Sequence, residues 1–164
     1  MIETAEIIEV VTPDQYAAAA ALFRQYQQYL GVDLCFQSFE DELANLPAMY
    51  GAPQGCILLA QERGVYVGCV ALRPAKGQPG VCEMKRLYVL PEHMGKGYGR
   101  ALAAGIVQRA QGAGYQAMVL DTLDRLKPAI QLYRSLGFEE MEPYYANPLE
   151  GVVYMRKAFG FLNH

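Results

Sequence analysis

A mixed α/β fold is predicted, because segments with a strand pattern alternate along the chain with segments of helical periodicity. Short apolar runs bounded by turn residues indicate the strands, and longer segments with apolar residues at helical spacing indicate the helices. The chain has 164 residues, of which 52% are hydrophobic and 19% are charged. This length and composition suit one globular domain over residues 1–164 with a single substantial core.

The first two elements are a strand and a long helix. Residues 7–11 form an apolar run that reads as a strand. Thr12 and Pro13 then supply an N-cap and a proline at the first helical position. Gly31 is placed to end the helix after residue 30.

A short helix and a hairpin follow. Residues 38–47 are expected to form the second helix, because Ser38 precedes an acidic residue at the spacing of a capping box. Residues 55–61 and 65–73 read as two strands, and the turn residues between them include Gly64, a hairpin signal.

The second half of the chain alternates more regularly. The remaining elements are expected to be a strand (81–90), a helix (101–111), a strand (116–121), a helix (128–136) and two strands (138–141 and 151–157). The predicted order is therefore β-α-α-β-β-β-α-β-α-β-β.

A glycine-rich turn over residues 94–100 is the most informative local motif. Gly95, Gly97 and Gly99 alternate with larger residues directly after an apolar strand and before a helix. Glycines let a ligand approach the backbone, and a helix N-terminus offers unpaired N–H groups, so the turn is a candidate phosphate site. Lys96 and Arg100 add positive charge, although a turn that needs positive φ is the simpler alternative.

Two other phosphate loops fit this turn less well. A P-loop requires Lys and then Ser or Thr after its last glycine, whereas Gly99 is followed by Arg100 and Ala101. A Rossmann fingerprint requires a third glycine at the position of Arg100 and normally opens the first βαβ unit. Asp121 stands at roughly the offset of a ribose-binding acid, so the dinucleotide interpretation is disfavoured and not excluded.

Two segments of the chain resemble motifs of the GNAT superfamily of N-acetyltransferases. Residues 82–100 (CEMKRLYVLPEHMGKGYGR) resemble its acetyl-CoA-binding motif, Q/R-x-x-G-x-G/A. Residues 129–138 (AIQLYRSLGF) resemble its second motif, a helix and turn before the sixth strand. The two motifs in this order span roughly half of the chain. Met94 departs from the pattern, because it stands where the family has Gln or Arg.

The resemblance implies a mostly antiparallel central sheet flanked by helices, with a V-shaped cleft that admits the pantetheine chain of acetyl-CoA. It also implies which residues bind that co-substrate. The expected main-chain contacts to pantetheine come from Leu87, Tyr88 and Val89, and those to the pyrophosphate come from Gly95, Lys96, Gly97, Tyr98, Gly99 and Arg100. No metal is expected.

The resemblance further implies two catalytic residues. Tyr133 occupies the position of the tyrosine that protonates the coenzyme A sulfur, and a phenol with its ordinary pKa near 10 keeps its proton at pH 7. Glu83, on the strand before the loop, is the first candidate for the base that deprotonates the amine. The alternatives are a packing tyrosine and a glutamate that pairs with Lys85 or Arg86 or faces solvent.

Two other classes of function compete with acetyl transfer. A cofactor-free hydrolase lacks a G-x-S-x-G motif, and its triad would depend on His93, because the other histidine is His164 at the end of the chain. His93 is instead expected to have a structural role near the phosphate loop. A module that binds acetyl-CoA without catalysis is the non-enzyme alternative, and the tyrosine at position 133 argues against it.

Composition excludes several kinds of partner. The net charge of −3 implies no broad basic surface, so neither nucleic acid nor an anionic membrane is expected as a partner. Cys35, Cys56, Cys69 and Cys82 form no C-x-x-C pair and no zinc or disulfide pattern. The acidic start of the chain differs from a signal peptide, and the apolar runs are too short to span a bilayer. A cytoplasmic monomer or homodimer is expected.

Aromatic residues indicate the class of acceptor. In this fold the acceptor side is formed by the first helices and the last strands, which here carry Tyr26, Tyr29, Phe36, Phe39, Tyr144, Tyr145, Asn147 and Tyr154. Such residues suit a partly enclosed pocket for a small amine or amino acid. They could equally be core or dimer-interface residues. Direct transfer without an acetylated cysteine is expected, since no cysteine lies in an activating motif.

Overall fold

The computed structural model describes residues 6–32 and 38–160. Its elements in chain order are β1 (Glu6–Glu9), α1 (Pro13–Leu30), α2 (Phe39–Ala44), α3 (Leu46–Tyr50), β2 (Cys56–Glu62), β3 (Val65–Pro74), β4 (Val81–Val89), α4 (Tyr98–Gly112), β5 (Ala117–Leu123), α5 (Lys127–Ser135), β6 (Glu139–Met141) and β7 (Val152–Ala158). A short 3-10 turn, Pro91–His93, connects β4 to the glycine-rich turn.

Within these residues one sheet has the strand order β1-β2-β3-β4-β5-β7-β6. All neighbouring strands are antiparallel except β4 and β5, which run parallel. Parallel neighbours need a crossover connection, and α4 supplies it. The predicted mixed, mostly antiparallel sheet is confirmed.

The sheet opens between β4 and β5. The two strands pair only at the register Val81↔Ala117, Cys82↔Met118 and Glu83↔Val119, and no further pairing joins them in the described chain. On its other edge β4 carries a bulge, because its register with β3 shifts between Cys69 and Ala71 and Arg86 adopts a positive φ of 61°. A bulge bends its strand and increases the local twist. Strand β4 therefore diverges from β5 in the V shape that the sequence resemblance implies.

The core has a layer on each face of the sheet. One layer packs α4 and α5 against the sheet, with Leu102, Ile106 and Tyr133 among its members. The other packs α1 to α3 against the opposite face, with Phe23 and Tyr50. Successive side chains of a strand point to opposite faces of the sheet, so the β4 side chains that do not face the first layer face the second.

Local sequence signals are matched closely at α1 and at the β2–β3 hairpin. Thr12 and Gln15 form a reciprocal capping box, and Gly31 ends α1 with φ 70°. Arg63 and Gly64 form the two-residue turn with φ values of 53° and 80°. Positive φ at both central residues matches the twist of antiparallel strands.

The prediction of a single helix over residues 38–47 is wrong, because α2 and α3 are separate helices that meet at Asn45 (φ −135°). Ser38 does not cap α2 through its side chain, since its backbone is left-handed. Helix α4 also begins earlier than predicted, at Tyr98, because Gly97 (φ 93°) serves as its N-cap residue.

Candidate functional site

A cleft occupies the gap where β4 and β5 separate. Lys85 and Leu87 line it from β4, and Asp121 lines it from β5. Tyr133 of α5 and Tyr26 of α1 line it as well, so helices from both faces of the sheet reach the opening. A thin ligand could therefore pass through the sheet here from one face to the other.

Tyr133 lies at this opening with a 6% exposed residue surface. Its ring packs edge-on against Phe138 at 5.9 Å between centroids, which fixes its orientation. Burial raises the pKa of the Tyr133 phenol, and the nearby Tyr26 and Asp121 raise it further. The hydroxyl thus stays protonated at neutral pH and can donate a hydrogen bond to an anion that develops in the cleft.

Glu83 is buried in a hydrogen-bonded cluster beside the same opening. Its Oε1 accepts from Nε of Arg73 at 3.0 Å, and its Oε2 accepts from the Tyr144 hydroxyl at 2.7 Å. The Nζ of Lys85 lies 3.9 Å from Oε2. Burial and then the charges of Glu83 and Asp121 raise the pKa of Tyr144. Glu83 therefore pairs with Lys85, one of the alternatives that the sequence offered, and it lies closer to Arg73.

Arg86 and Glu42 form a buried ion pair beneath the bulge. The Nε and Nη2 atoms of Arg86 donate to the two oxygens of Glu42 at 2.9 and 2.6 Å, and the guanidinium lies 5.2 Å from the centroid of the Phe39 ring. Burial opposes both charges, but the bidentate hydrogen bonds outweigh it, so the pKa of Arg86 is raised and that of Glu42 is lowered. The pair joins α2 to β4 and holds the bulged segment.

Asp121 is held by the segment that connects β6 to β7. Its Oδ2 accepts hydrogen bonds from the Tyr145 hydroxyl and from Nδ2 of Asn147, the latter at 2.9 Å. The Tyr154 hydroxyl donates to the Tyr145 carbonyl at 2.8 Å and accepts from the Asn147 N–H at 3.2 Å. Tyr144, Tyr145 and Tyr154, which were expected on the acceptor side, therefore form one aromatic cluster. This cluster lies beside the carboxylates of Glu83 and Asp121.

The glycine-rich turn leads directly into α4. Gly95 and Gly97 have φ values of 82° and 93°, a conformation that strains residues with a Cβ. The first N–H groups of α4 have no partner within the helix, and a Cβ built on Gly95 would meet nothing within 4 Å. The Nη2 of Arg100 donates to Oγ of Ser135 at 2.8 Å and so ties the start of α4 to the end of α5. A glycine-rich turn at a helix N-terminus is a candidate site for an anion.

Glu62 gathers the polar side chains around this turn. Its Oε1 is 2.9 Å from Nδ1 of His93, and its Oε2 is 3.7 Å from Nζ of Lys96. The pKa of Glu62 is lowered, mainly by a hydrogen bond with the Tyr98 hydroxyl and to a smaller extent by the charges of Lys96 and His93. Because the Tyr98 side chain is buried, a contact of Tyr98 with a ligand at the turn would come from its main chain.

The buried cysteines are poor nucleophiles. Burial raises the pKa of the Cys56 thiol to about 11 and that of Cys82 to about 12, and it also raises the pKa of Cys69. Only thiolates attack readily, so these thiols are inert at neutral pH. Cys35 and Phe36 lie outside the described residues.

Two charged residues of the cleft were missed in the sequence analysis. Lys85 was considered only as a partner of Glu83, and Asp121 only as a ribose-binding acid. The signal for Asp121 was a single carboxylate within the apolar strand β5. For Lys85 the signal was its spacing of two from Glu83, which places both side chains on the same face of β4.

Comparisons with known proteins identify relatives of this chain. Residues 15–138 match the model of the acetyltransferase (GNAT) family. An uncharacterized N-acetyltransferase of Schizosaccharomyces pombe is 53% identical over 136 residues, 82% of this chain and 83% of that protein. An IAA acetyltransferase of Azospirillum brasilense is 32% identical over 127 residues, 77% of this chain and 80% of that one.

Solved structures share the fold at low sequence identity. A GNAT-family acetyltransferase from Staphylococcus aureus MU50 has a TM-score of 0.76 and 18% identity, with 94% of this chain and 99% of that one covered. The yncA protein from Salmonella typhimurium, solved with its cofactor acetyl-CoA, has a TM-score of 0.68 and 20% identity, with 99% and 98% covered. In the described part of the chain, no helix has the length and apolar character needed to cross a membrane.

Proposed function

Because the chain belongs to the acetyltransferase (GNAT) family and its co-substrate is acetyl-CoA, we propose that it acetylates the primary amine of a small molecule or amino acid by direct transfer in a ternary complex. The observation that carries this proposal is the opening between β4 and β5, which Tyr133 and Tyr26 line from helices on opposite faces of the sheet.

The donor side of the proposal uses main-chain groups. The amides of residues 95–100 bind the pyrophosphate at the N-terminus of α4, where the helix dipole favours an anion. The edge of β4 that diverges from β5, including Leu87, Tyr88 and Val89, pairs with the amide groups of pantetheine. Since Leu87 lines the opening, this path leads the thioester to Tyr133.

The amine must lose a proton before it can attack. With a pKa near 10.4, about one alkylamine molecule in 2,500 is unprotonated at pH 7. We assign the base role to Glu83, whose Oε2 is 2.7 Å from the Tyr144 hydroxyl, so the proton can reach the carboxylate through that hydroxyl. The hydrogen bond from Arg73 holds the carboxylate in place.

Negative charge develops on the coenzyme A sulfur as its bond to the acetyl group breaks. In the proposal, Tyr133, whose ring is fixed at the opening, donates its phenolic proton to that sulfur, so that coenzyme A leaves as a thiol. Burial raises the pKa of the phenol, so the hydroxyl holds its proton until that charge develops. The raised thiol pKa values of Cys56, Cys69 and Cys82 support direct attack by the amine over an acetylated cysteine.

The test is a panel of amines and amino acids with acetyl-CoA, in which thiol release and the mass of the acetylated product are followed together. We expect stoichiometric thiol and N-acetyl product with at least one small amine, and no acetylated cysteine after acid quenching. Tight binding of acetyl-CoA without turnover on any amine would instead favour the non-catalytic module. A trapped acetyl-cysteine on the pathway would overturn direct transfer.

A further inference from the structure

Three leucines from separate segments of the chain line the cleft. They are Leu30 at the end of α1, Leu126 in the turn between β5 and α5, and Leu149 in the segment that connects β6 to β7. Leu30 is buried, and the other two are partly buried. Leucine side chains that remain open to a cleft gain from a ligand that covers them with apolar surface. These three residues, the leucine wall, are therefore candidates for the recognition of an apolar group.

Polar contacts tie the three segments together. The Nη2 of Arg125 donates to the Leu30 carbonyl, which joins the turn before α5 to the end of α1. The N–H of Asp124, in the same turn, donates to the Gly151 carbonyl at 2.7 Å, which joins that turn to the segment before β7. The leucine wall is therefore a property of the folded chain, assembled from parts that are distant in the sequence.

Asn147 holds Leu149 in this wall. Its Oδ1 accepts from the Leu149 N–H at 2.9 Å, and its Nδ2 donates to Oδ2 of Asp121 at 2.9 Å. Its own N–H donates to the Tyr154 hydroxyl at 3.2 Å. A carboxylate only accepts, so these partners fix which end of the Asn147 amide faces Asp121. Because residues 142–151 belong to neither a helix nor a strand, side-chain bonds of this kind position their backbone.

The charged residues that line the cleft have partners inside the protein. Arg86 makes bidentate hydrogen bonds to Glu42, and Asp121 accepts two hydrogen bonds from the segment between β6 and β7. The Nζ of Lys85 lies 3.9 Å from Oε2 of Glu83. A polar group on the acceptor would have to compete with these contacts, whereas an apolar group needs only the leucine wall.

We infer that the acceptor carries an apolar side group, which the leucine wall receives, and that Asn147 is a positioning residue for that wall. This inference rests on the proposed function and names the substrate class of that same site. A polar group of the same shape would lose its water against the leucines without gaining a hydrogen bond from them, so the wall selects against it.

The experiment compares two pairs of acceptors in which a carboxamide replaces an isopropyl group of similar shape. The pairs are leucine with asparagine and 3-methylbutylamine with 3-aminopropanamide, so the result does not depend on whether the acceptor has a carboxylate. We expect kcat/KM to be at least about tenfold higher for the apolar member of each pair that is acetylated. The carboxamide lowers the pKa of the amine, so the unprotonated fraction alone predicts the opposite order.

Substitutions at Leu149 test the wall itself. Leu149→Asn places a carboxamide in it and should reduce the preference to within about threefold, whereas Leu149→Met keeps an apolar side chain and should retain the preference. Leu43→Asn is the matched control, because Leu43 is also partly buried but borders a different groove. Thermal melting checks folding, and Leu149→Ala, which also removes the apolar contact, makes the same comparison if Leu149→Asn does not fold.

Asn147→Ala tests the positioning role. It should raise KM for the preferred acceptor at least about fivefold, leave the Kd of acetyl-CoA unchanged and speed hydrogen exchange of the Leu149 amide. A loss of stability alone would lower the amount of active enzyme and leave KM unchanged. Asn45→Ala is the control, because Nδ2 of Asn45 also donates to a carbonyl, that of Asp41 at 3.0 Å, but Asn45 does not line the cleft. A parental KM in a folded Asn147→Ala protein would contradict the positioning role.

A binding readout does not need turnover. Calorimetry of the parent protein with coenzyme A should show at least about tenfold tighter binding of N-acetylleucine than of N-acetylasparagine, or the same preference within the other pair of products. Equal use of both members of each pair would overturn the inference and leave the proposed acetyl transfer standing. No turnover on any amine would overturn the proposed function, and calorimetry would then decide the inference: tighter binding of the apolar products would support it, and equal or absent binding would overturn it.

Discussion

Gly97 provides the most direct test of the cofactor loop. It adopts φ 93° and ψ 2° as the N-cap residue of α4, and the main-chain amides proposed to bind the pyrophosphate surround it. Gly97→Val places a β-branched side chain in a conformation that only glycine adopts without cost. The variant protein must either accept that strain or shift the backbone of residues 95–100. Such a shift would move the main-chain amides away from the phosphate.

The size of the effect follows from the backbone geometry. The left-handed conformation costs a residue with a Cβ roughly 1–2 kcal/mol, and strained positions of this kind cost about 1–3 kcal/mol in total. If relaxing the loop removes the binding geometry, a loss of about 1.4 kcal/mol weakens coenzyme A binding tenfold. We expect a decrease of at least that size.

Calorimetry with coenzyme A measures the loss, and Gly77→Val is the matched control. Gly77 has φ 74°, and a Cβ on it would meet nothing within 4 Å, so valine there introduces the same kind of strain. It lies in the turn before β4, whereas the glycine-rich turn follows the other end of that strand. Gly77→Val should lower the melting temperature and leave the Kd unchanged. Unchanged affinity in a folded Gly97→Val protein would refute the assignment of this loop.

Two further substitutions test the buried charges. Glu83→Gln removes the proposed base, so its residual kcat should rise with pH as more of the amine becomes unprotonated. A pH–rate profile with the parental shape would contradict that role. Glu42→Gln leaves Arg86 buried beside a neutral partner and should lower the unfolding free energy by about 3–5 kcal/mol, as measured by urea denaturation. Glu40→Gln, which breaks the exposed pair with Arg24, is the control and should lower it by at most about 1 kcal/mol. Folding lowers the pKa of Glu42 below its ordinary value of 4.5. The difference in unfolding free energy between the parent and Glu42→Gln should therefore be complete above pH 4.5 and decline as the pH falls below it. A difference that stays constant down to about pH 2 would contradict the ion pair.

The elements that the sequence predicted well are those with local causes. The capping box at Thr12 and Gln15 and the turn at Arg63 and Gly64 act over a few residues, so their patterns are visible in the chain itself. The break at Asn45 was missed, because Leu46 and Tyr50 on one side and Phe39 on the other are buried in the same core layer. That packing depends on the sheet and has no local signature.

The candidate site divides in the same way. The glycine-rich turn and Tyr133 could be proposed from the sequence because each lies in a contiguous motif. The partners of Glu83 could not be found, since Arg73 and Tyr144 are 10 and 61 residues away in the chain. The placement of Lys85 and Asp121 in one cleft depends on the register of β4 against β5 and on the point where their pairing ends. Both are properties of the folded sheet.

Tyr133→Phe tests the role of Tyr133 in acetyl transfer. The change keeps the ring and its contact with Phe138, and it deletes the proton that Tyr133 is proposed to donate to the departing sulfur. Steady-state kinetics with an acceptor found in the amine panel should show kcat reduced on the order of 10²–10⁴-fold, with the Kd of acetyl-CoA nearly constant. A variant that retains more than about half of the parental kcat would show that Tyr133 only packs at the opening, which would contradict its proposed role as the general acid.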